Sequence, residues 1–216
     1  MALALQANPS MPLCRQTDKQ RLKPALNWTG LFTFLILLIW QPAMASDEIR
    51  IMQVTDYQEN EQLLFDSQTQ FHLPQALIDA IYNEIPLTFE TEIIFTEHQR
   101  LIGIKYDRER VNIRYQTQLS YSSFHNRYTL ENQRNQNRQH FSSLNKALAT
   151  LGTLAAFPVL SLSELHPGQK YTLKLRIRLN YWRLPAPMIL NALFNPEWQL
   201  DSDWFETTLY TPKSWL

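Results

Sequence analysis

The histidines of this sequence are the first residues to consider for chemistry, because they bind metals and transfer protons near neutral pH. The chain has five of them, namely His72, His98, His125, His140 and His166. No two stand two or four residues apart, which are the spacings common in metal motifs. We therefore interpret them as surface histidines and expect neither a metal site nor a cofactor.

Two rows of charged residues alternate along predicted strands. Glu90 and Glu92 form an acidic pair that could act as general acid and base. The basic row consists of Lys174, Arg176 and Arg178. Since alternate residues of a strand point to the same face, both rows also suit the wet face of a sheet. We favour cross-strand charge pairing; the alternative for the basic row is contact with anionic lipid head groups or lipopolysaccharide.

Other chemical motifs are weak. Asp201 and Asp203 could contribute to a calcium site, but the other ligands of such a loop are missing, so we predict a turn. The single cysteine, Cys14, lies near the N-terminus, and the few glycines form neither a phosphate-binding loop nor a nucleophile elbow. A catalytic triad could still assemble in space, yet the sequence favours a protein that is not an enzyme.

The segment from Tyr181 to Trp204 is both apolar and rich in proline. Proline cannot donate hydrogen bonds to a sheet, and a short helix can bury only one of its faces. We predict that the segment is a partner-facing surface; the alternative is a lid packed over one end of the domain. The residues predicted for this surface are Trp182, Met188, Phe194, Trp198 and Trp204.

Alternation of apolar and polar residues with a period of two predicts strands over most of the chain after residue 45. The clearest are 65–73, 87–95, 111–121 and 171–180, and weaker ones are Ile49–Tyr57, Arg127–Leu130, Phe157–Leu160 and Trp204–Tyr210. Pro158 would restrict its strand to a sheet edge. The polar stretch from Glu131 to His140 is interpreted as a solvated, mobile hairpin tip.

Two short helices and a possible third interrupt the strands. Pro74 suits the start of one helix, and Ser143 can cap another that Gly152 ends. A third helical turn is predicted from Pro187 to Phe194. The strands predict a mainly β fold, an antiparallel two-layer β-sandwich (immunoglobulin-like or similar) with two or three short helices. The alternative is a partly closed β-barrel.

The first 45 residues have the order of a secretory signal peptide. A basic region is followed by the apolar run Leu31–Trp40 and by the small residues Ala43 and Ala45. We expect cleavage after Ala45 and a periplasmic protein whose single domain spans residues 46–216. The alternative is an uncleaved inner-membrane anchor, although a spanning helix needs roughly 20 apolar residues. With 20 basic and 20 acidic residues, the chain lacks the basic excess of a nucleic-acid binder.

Several stretches together resemble one known family. They are Leu73–Leu77, Ile85–Glu90, Arg114–Tyr115, Leu119–Tyr121, Phe141–Leu151, His166–Gly168, Tyr171, Leu184–Pro187, Asn191–Leu193, Trp198 and Ser202–Trp204. In this order they resemble the bacterial envelope family called domain of unknown function 4390. The resemblance implies a signal-bearing proteobacterial protein, often encoded beside a nitrogen-regulation-type sensor histidine kinase. It implies no activity, cofactor or site.

Two functions remain open at the level of sequence. The first is a non-enzymatic periplasmic interaction module that serves a membrane sensor kinase or envelope assembly, with an inner-membrane protein or lipid as its partner. The second is a carrier that holds a lipid or another hydrophobic ligand between its sheets. A continuous apolar cavity of roughly 300–1,000 Å³ would favour the carrier, and a filled core would favour the interaction module.

Overall fold

The computed structural model of the protein describes residues 49–210. The chain separates into two units, Met1–Ala45 and Ser46–Leu216, and the described residues belong to the second. The predicted targeting segment, residues 1–45, lies outside the described residues. Among residues 49–210, no helix is both long and apolar enough to cross a membrane.

Strands form most of the described chain. The strands are β1 (Ile49–Glu59), β2 (Gln62–Phe71), β3 (Leu87–Leu101), β4 (Ile104–Ser122), β5 (Arg127–Asn132), β6 (Asn137–Phe141), β7 (Thr153–Ser161), β8 (Lys170–Leu179) and β9 (Phe205–Tyr210). The helices are α1 (Gln75–Tyr82), α2 (Leu144–Leu151) and α3 (Ala186–Phe194). Short 3₁₀ turns lie at Leu162–Glu164, Tyr181–Arg183 and Pro196–Trp198.

The strands form two antiparallel sheets. The smaller has three strands in the order β1-β2-β7, and the larger has six in the order β6-β5-β4-β3-β8-β9. The fold is thus mainly β and sandwich-like, as predicted, with three helices and no closed barrel among the described strands. β7 is an edge strand, which agrees with the position predicted for the strand that contains Pro158.

Alternation along the strands decides which side chains enter the core. On β8, Tyr171, Leu173 and Leu175 are buried, and the basic residues between and beyond them point to the opposite face. β3 follows the same rule, and Phe95 and Glu97, which are two residues apart, lie on the same face and are both buried. A bulge opposite Phe95 and Thr96 leaves Arg110 of β4 as the extra residue and does not change the alternation of β3.

Two hydrophobic clusters form the core. The sandwich cluster lies between the sheets and includes Phe65 from β2, Ile93 and Phe95 from β3, and Leu173 and Leu175 from β8. The helical cluster lies at the end of the domain where β3 begins. It includes Leu77, Ile81, Phe89, Leu148, Ala192 and Trp198. One end of the sandwich is therefore closed by the helices.

Local chemistry explains where the helices begin and end. Pro74 immediately precedes α1, and the hydroxyl of Ser143 accepts a hydrogen bond from the backbone N–H of Lys146 at the start of α2. Gly152 ends α2 as predicted, and its carbonyl accepts a 2.8 Å hydrogen bond from Thr69 N–H. The third predicted helix is present as α3 and begins one residue before Pro187.

A long hairpin extends from the other end of the domain. Beyond His98, β3 pairs with β4 alone, and the two strands meet at a turn formed by Ile102 and Gly103. This ribbon was not predicted, because its residues do not alternate between apolar and polar. The polar stretch 131–140 does form an exposed hairpin, but part of it is the regular strand β6, which lacks apolar residues before Phe141.

Candidate functional site

The outer face of the six-stranded sheet carries the two predicted charged rows. Glu90 and Glu92 on β3 lie opposite Arg178 and Arg176 of β8, and Glu92 also lies opposite Arg114 of β4. An Nη2 atom of Arg178 is 2.6 Å from Glu90 Oε1 and 3.4 Å from Glu92 Oε1. Arg114 contacts both carboxylates. Cross-strand charge pairing, the interpretation favoured from sequence, is confirmed.

This pairing determines the protonation of Glu90. Burial alone would raise its pKa, but hydrogen bonds from Arg178 and Gln116 and the charges of Arg178 and Arg114 outweigh burial. The pKa of Glu90 is therefore lowered below its ordinary value. A carboxylate held ionised by arginines is a poor general acid near neutral pH.

The basic row is also paired on its other side. Lys174 Nζ is 2.6 Å from Glu206 Oε1. Two nitrogens of the Arg176 guanidinium donate hydrogen bonds to the carboxylate of Asp201. The same guanidinium lies over the ring of Trp204, 5.6 Å from the ring centroid. Lys174, Arg176 and Arg178 are thus each engaged by a neighbouring carboxylate, and their contact with an anionic surface stays a prediction.

The Asp201–Asp203 stretch forms a turn, as predicted. The backbone N–H of Asp203 donates to Asp201 Oδ1 at 3.0 Å, and the hydroxyl of Ser202 accepts from the backbone N–H of Ile177 at 2.9 Å. Asp201 is occupied by this turn and by Arg176. Across residues 49–210, no group of three or more His, Cys, Asp or Glu side chains is placed to hold a metal ion.

Three side chains on the outer face form a hydrogen-bonded row that was not predicted from the sequence. His98 Nδ1 lies 2.7 Å from Asp107 Oδ1, and His98 Nε2 lies 2.6 Å from Thr172 Oγ1. This is the order of a hydroxyl–imidazole–carboxylate triad. Counting outwards from the turn at Gly103 would have placed His98 opposite Asp107, but Thr172 comes from a strand 74 residues further along.

The surroundings of the hydrogen-bonded row Asp107, His98 and Thr172 do not suit acyl transfer. Thr172 is buried in the middle of the sheet, where it pairs with Thr96 of β3 on one side and Thr208 of β9 on the other. Backbone N–H groups next to Thr172 are therefore engaged in the sheet, whereas an oxyanion hole requires N–H groups that point at the substrate. The contacts with Asp107 and Thr172 fix the position of the His98 ring.

Glu97 forms a second buried polar cluster. His166 Nδ1 lies 2.7 Å from Glu97 Oε1, the Tyr171 hydroxyl donates to the same oxygen at 3.3 Å, and Arg110 lies 3.8 Å from Oε2. Burial opposes ionisation, but hydrogen bonds from Gln99 and His166 and the nearby positive charges lower the pKa of Glu97. These contacts tie the turn before β8 to β3.

The predicted partner-facing segment is divided between core and surface. Trp198 is 3 % exposed and belongs to the helical cluster, Met188 packs against that cluster, and Trp204 is half-buried beside Arg176. Trp182 and Phe194, in contrast, are 61 % and 86 % exposed. The segment therefore closes the end of the sandwich and also presents aromatic side chains to solvent.

One further exposed residue of this segment was not predicted. Leu190 is 64 % exposed and precedes Phe194 by four residues on α3, so both lie on the same outward face of the helix. Ala192, two residues after Leu190 and so on the opposite side of the helix, is fully buried. Helical spacing could therefore have separated the two faces of α3. We call Trp182, Leu190 and Phe194 the helical-end patch.

The large clefts lie outside the sandwich. One of about 660 Å³ is lined by polar and charged residues of the β3–β4 hairpin and of the turn before β8. A second of about 580 Å³ lies on the outer face near His98 and Lys174. The space between the sheets is filled by fully buried side chains, including Phe65, Phe89 and Phe95.

The fold and these surfaces define a class of protein: a two-sheet β domain with a filled interior, polar outer clefts and an apolar patch at its helical end. The sequence matches the family described as Domain of unknown function (DUF4390) over residues 46–208, and the chain belongs to this family. The resemblance seen in the motifs is thus confirmed. No match was found among curated proteins or among solved structures.

Proposed function

We propose that the domain is a non-enzymatic interaction module of the cell envelope that binds an inner-membrane protein through the helical-end patch. The observation that carries this proposal is the exposure of Trp182, Leu190 and Phe194 on a segment that is anchored to the helical cluster by Met188, Ala192 and Trp198. Exposed aromatic residues on a rigid support are typical of the centre of a protein–protein interface. Export to the periplasm, with a mature chain that starts at Ser46, is part of the proposal.

The chemistry of the patch favours a protein partner. From Tyr181 to Leu200 the only charged residues are Arg183 and Glu197. A surface with aromatic anchors and few charges matches the core of an interface, where charged residues are depleted. It does not match a phosphate-rich surface, which requires several cations. The partner proposed is therefore an inner-membrane protein with an apolar periplasmic face, such as a sensor kinase.

The alternative of a hydrophobic-ligand carrier has less support. The sandwich interior is filled by the side chains of both clusters, and the two large clefts are lined mainly by polar residues. Catalysis also has little support, because Glu90 is neutralised by arginines and Thr172 has no evident oxyanion site. These observations favour binding over chemistry.

The test is site-specific photo-crosslinking in living cells. A photoreactive residue replaces Phe194 in one variant and Met52, an exposed apolar residue of β1, in a control. We expect a crosslink to one inner-membrane protein from position 194 and none from position 52. Leu190→Ser introduced beside the probe should abolish the crosslink without lowering the melting temperature, since its side chain is exposed.

Several outcomes would contradict the proposal. They are equal crosslinking from both positions, the absence of any protein crosslink from position 194, or a crosslink that survives Leu190→Ser. Stoichiometric lipid in the purified protein by mass spectrometry would favour the carrier instead. N-terminal sequencing of the same envelope preparation tests export, because a chain that retains residues 31–45 would be an anchored protein.

A further inference from the structure

The tip of the β3–β4 hairpin exposes apolar side chains away from the helical-end patch. Ile102 is 94 % exposed and Ile104 is 71 % exposed. Since β3 pairs with β4 alone beyond His98, the ribbon extends past the rest of the sheet by about 10 Å, at about 3.3 Å per residue. Two isoleucines at the end of such a ribbon have no partner within the sandwich clusters.

Ile102 also occupies an unfavourable backbone conformation. Its φ is 52°, and Gly103 follows at 82°, so both central residues of the turn have a positive φ. Turns of this kind strongly prefer Asn-Gly or Asp-Gly, and a β-branched residue there is a genuine outlier. An isoleucine that is strained and exposed at once is not explained by the stability of the fold.

Three cations line the cleft next to this tip. Arg100 on β3 lies directly opposite Lys105 on β4, and both line the 660 Å³ cleft together with Lys170 of β8. These three side chains form no ion pair with any residue between 49 and 210, whereas Asp107 in the same cleft pairs with His98. Like charges that face each other across a hairpin are unfavourable unless an anion lies between them.

We propose that the hairpin tip docks on the surface of an anionic phospholipid bilayer. Ile102 and Ile104 enter the apolar boundary of the bilayer, and Arg100, Lys105 and Lys170 contact the lipid phosphates. The combination of an apolar tip with three nearby cations is complementary to an anionic bilayer, in which acyl chains lie just beneath the phosphates. This site is independent of the helical-end patch and would act even if that patch bound nothing.

The experiment is vesicle flotation of the protein recovered from the envelope, with whichever N-terminus processing leaves. One set of vesicles contains phosphatidylcholine alone, and the other contains phosphatidylglycerol as well. We expect stronger binding to the second set, and the difference should shrink as salt is raised, because salt screens surface charges. Any binding by residues 1–45 is common to all variants and cancels in the comparison between them.

Two variants isolate the tip. Ile102→Asn removes the apolar side chain and places a residue that tolerates the left-handed conformation before Gly103, so folding should not suffer. It should weaken binding about tenfold, since burial of one such side chain at a membrane is worth at least that factor. The double variant Arg100→Gln/Lys105→Gln should weaken binding to the anionic vesicles about twenty-five-fold, at about fivefold for each cation.

Matched controls remove the same chemistry elsewhere. Phe124→Asn removes a side chain that is 90 % exposed at another turn, and Arg127→Gln/Lys146→Gln removes two exposed cations. Both should bind as the unaltered protein does. The proposal is overturned if anionic lipid gives no increase in binding, or if the tip variants bind like the controls. Equally strong binding of inorganic phosphate in calorimetry would replace the bilayer with a free anion and also overturn it.

Discussion

Ile93 and Ile94 are adjacent residues of the same type that face opposite sides of β3. Ile93 is fully buried in the sandwich cluster, and Ile94 is half-exposed beside the outer cleft. Ile93→Ala should lower the free energy of unfolding by about 2–5 kcal/mol. Ile94→Ala should lower it by about 1 kcal/mol or less. Urea denaturation followed by tryptophan fluorescence measures both, and equal losses would show that the register of β3 is wrong.

The basic row illustrates how residue-level chemistry depends on neighbours that the sequence does not reveal. Alternation correctly placed Arg176 on the face opposite Leu175, yet Arg176 is not a freely solvated side chain. Its partner Asp201 lies 25 residues further along, in a turn beyond α3. Substitution of Arg176 by an acidic residue would therefore place two carboxylates together, and it would not be a neutral surface change.

At the level of elements, Gly152 joins α2 to β7 where the chain passes closest to β2. A Cβ atom at this position would lie 2.1 Å from the carbonyl oxygen of Thr69, which is backbone and cannot turn aside. Gly152→Ala should therefore lower the free energy of unfolding by about 1–3 kcal/mol through overpacking. Chemical denaturation of the purified variant measures the loss.

Gly103→Ala is the matched control for this prediction. Gly103 has a φ of 82° and open space around a Cβ atom, so alanine there meets only backbone strain, worth about 1 kcal/mol. If Gly152→Ala cost less than Gly103→Ala, the close approach of α2 to β2 would not exist in solution.

The elements that could be predicted are those whose periodicity follows from burial. β8 alternates along its whole length and packs one face into the core, so both its extent and its faces were predictable. β6 was missed as a strand because it is polar and exposed, and only its pairing with β5 makes it regular. The bulge at Arg110 of β4 left no signal, because it depends on the pairing of β3 with β4.

The candidate site was predictable to a smaller extent. The apolar composition of residues 181–204 indicated a surface at the end of the domain, but not which side chains face outwards. Trp198 fills the helical cluster because the 3₁₀ turn Pro196–Trp198 directs it inwards, whereas Phe194 ends α3 on its exposed face. Composition cannot distinguish these two aromatic residues, since their exposure is decided by tertiary packing.

At the scale of the whole molecule, two ionised carboxylates link stability to pH. The pKa values of Glu90 and Glu97 are lower in the folded chain than their ordinary value of 4.5. Their stabilising contribution is therefore complete above about pH 4.5 and is lost as the pH falls through the lower folded values. The free energy of unfolding should decline below that pH.

Glu90→Gln separates this effect from general acid unfolding. The variant lacks the ion pair with Arg178 at every pH, so it should be less stable than the unaltered protein at neutral pH. The difference between the two proteins should narrow as the pH falls below 4.5. Urea denaturation at a series of pH values gives this difference, and a gap that stays constant would contradict the lowered pKa.

The proposed contacts lie at opposite ends of the longest hairpin. α3 lies at the end of the domain where β3 begins. Asn180, just before the segment that contains α3, donates a backbone hydrogen bond to the carbonyl of Thr88 near the start of β3. The isoleucine tip lies where β3 ends. A domain with a protein-binding patch at one end and a lipid-binding tip at the other would hold its partner at a fixed height above a membrane.

From the tip to Gln116, β4 pairs with β3 on one side. On its other side, pairing with β5 begins only at Thr117. Such an open edge could recruit the edge of another copy and lead to aggregation. Four consecutive charged residues, Asp107, Arg108, Glu109 and Arg110, lie along this edge. Charged side chains along an exposed edge oppose the addition of another strand, so these four residues lower the tendency of the domain to aggregate.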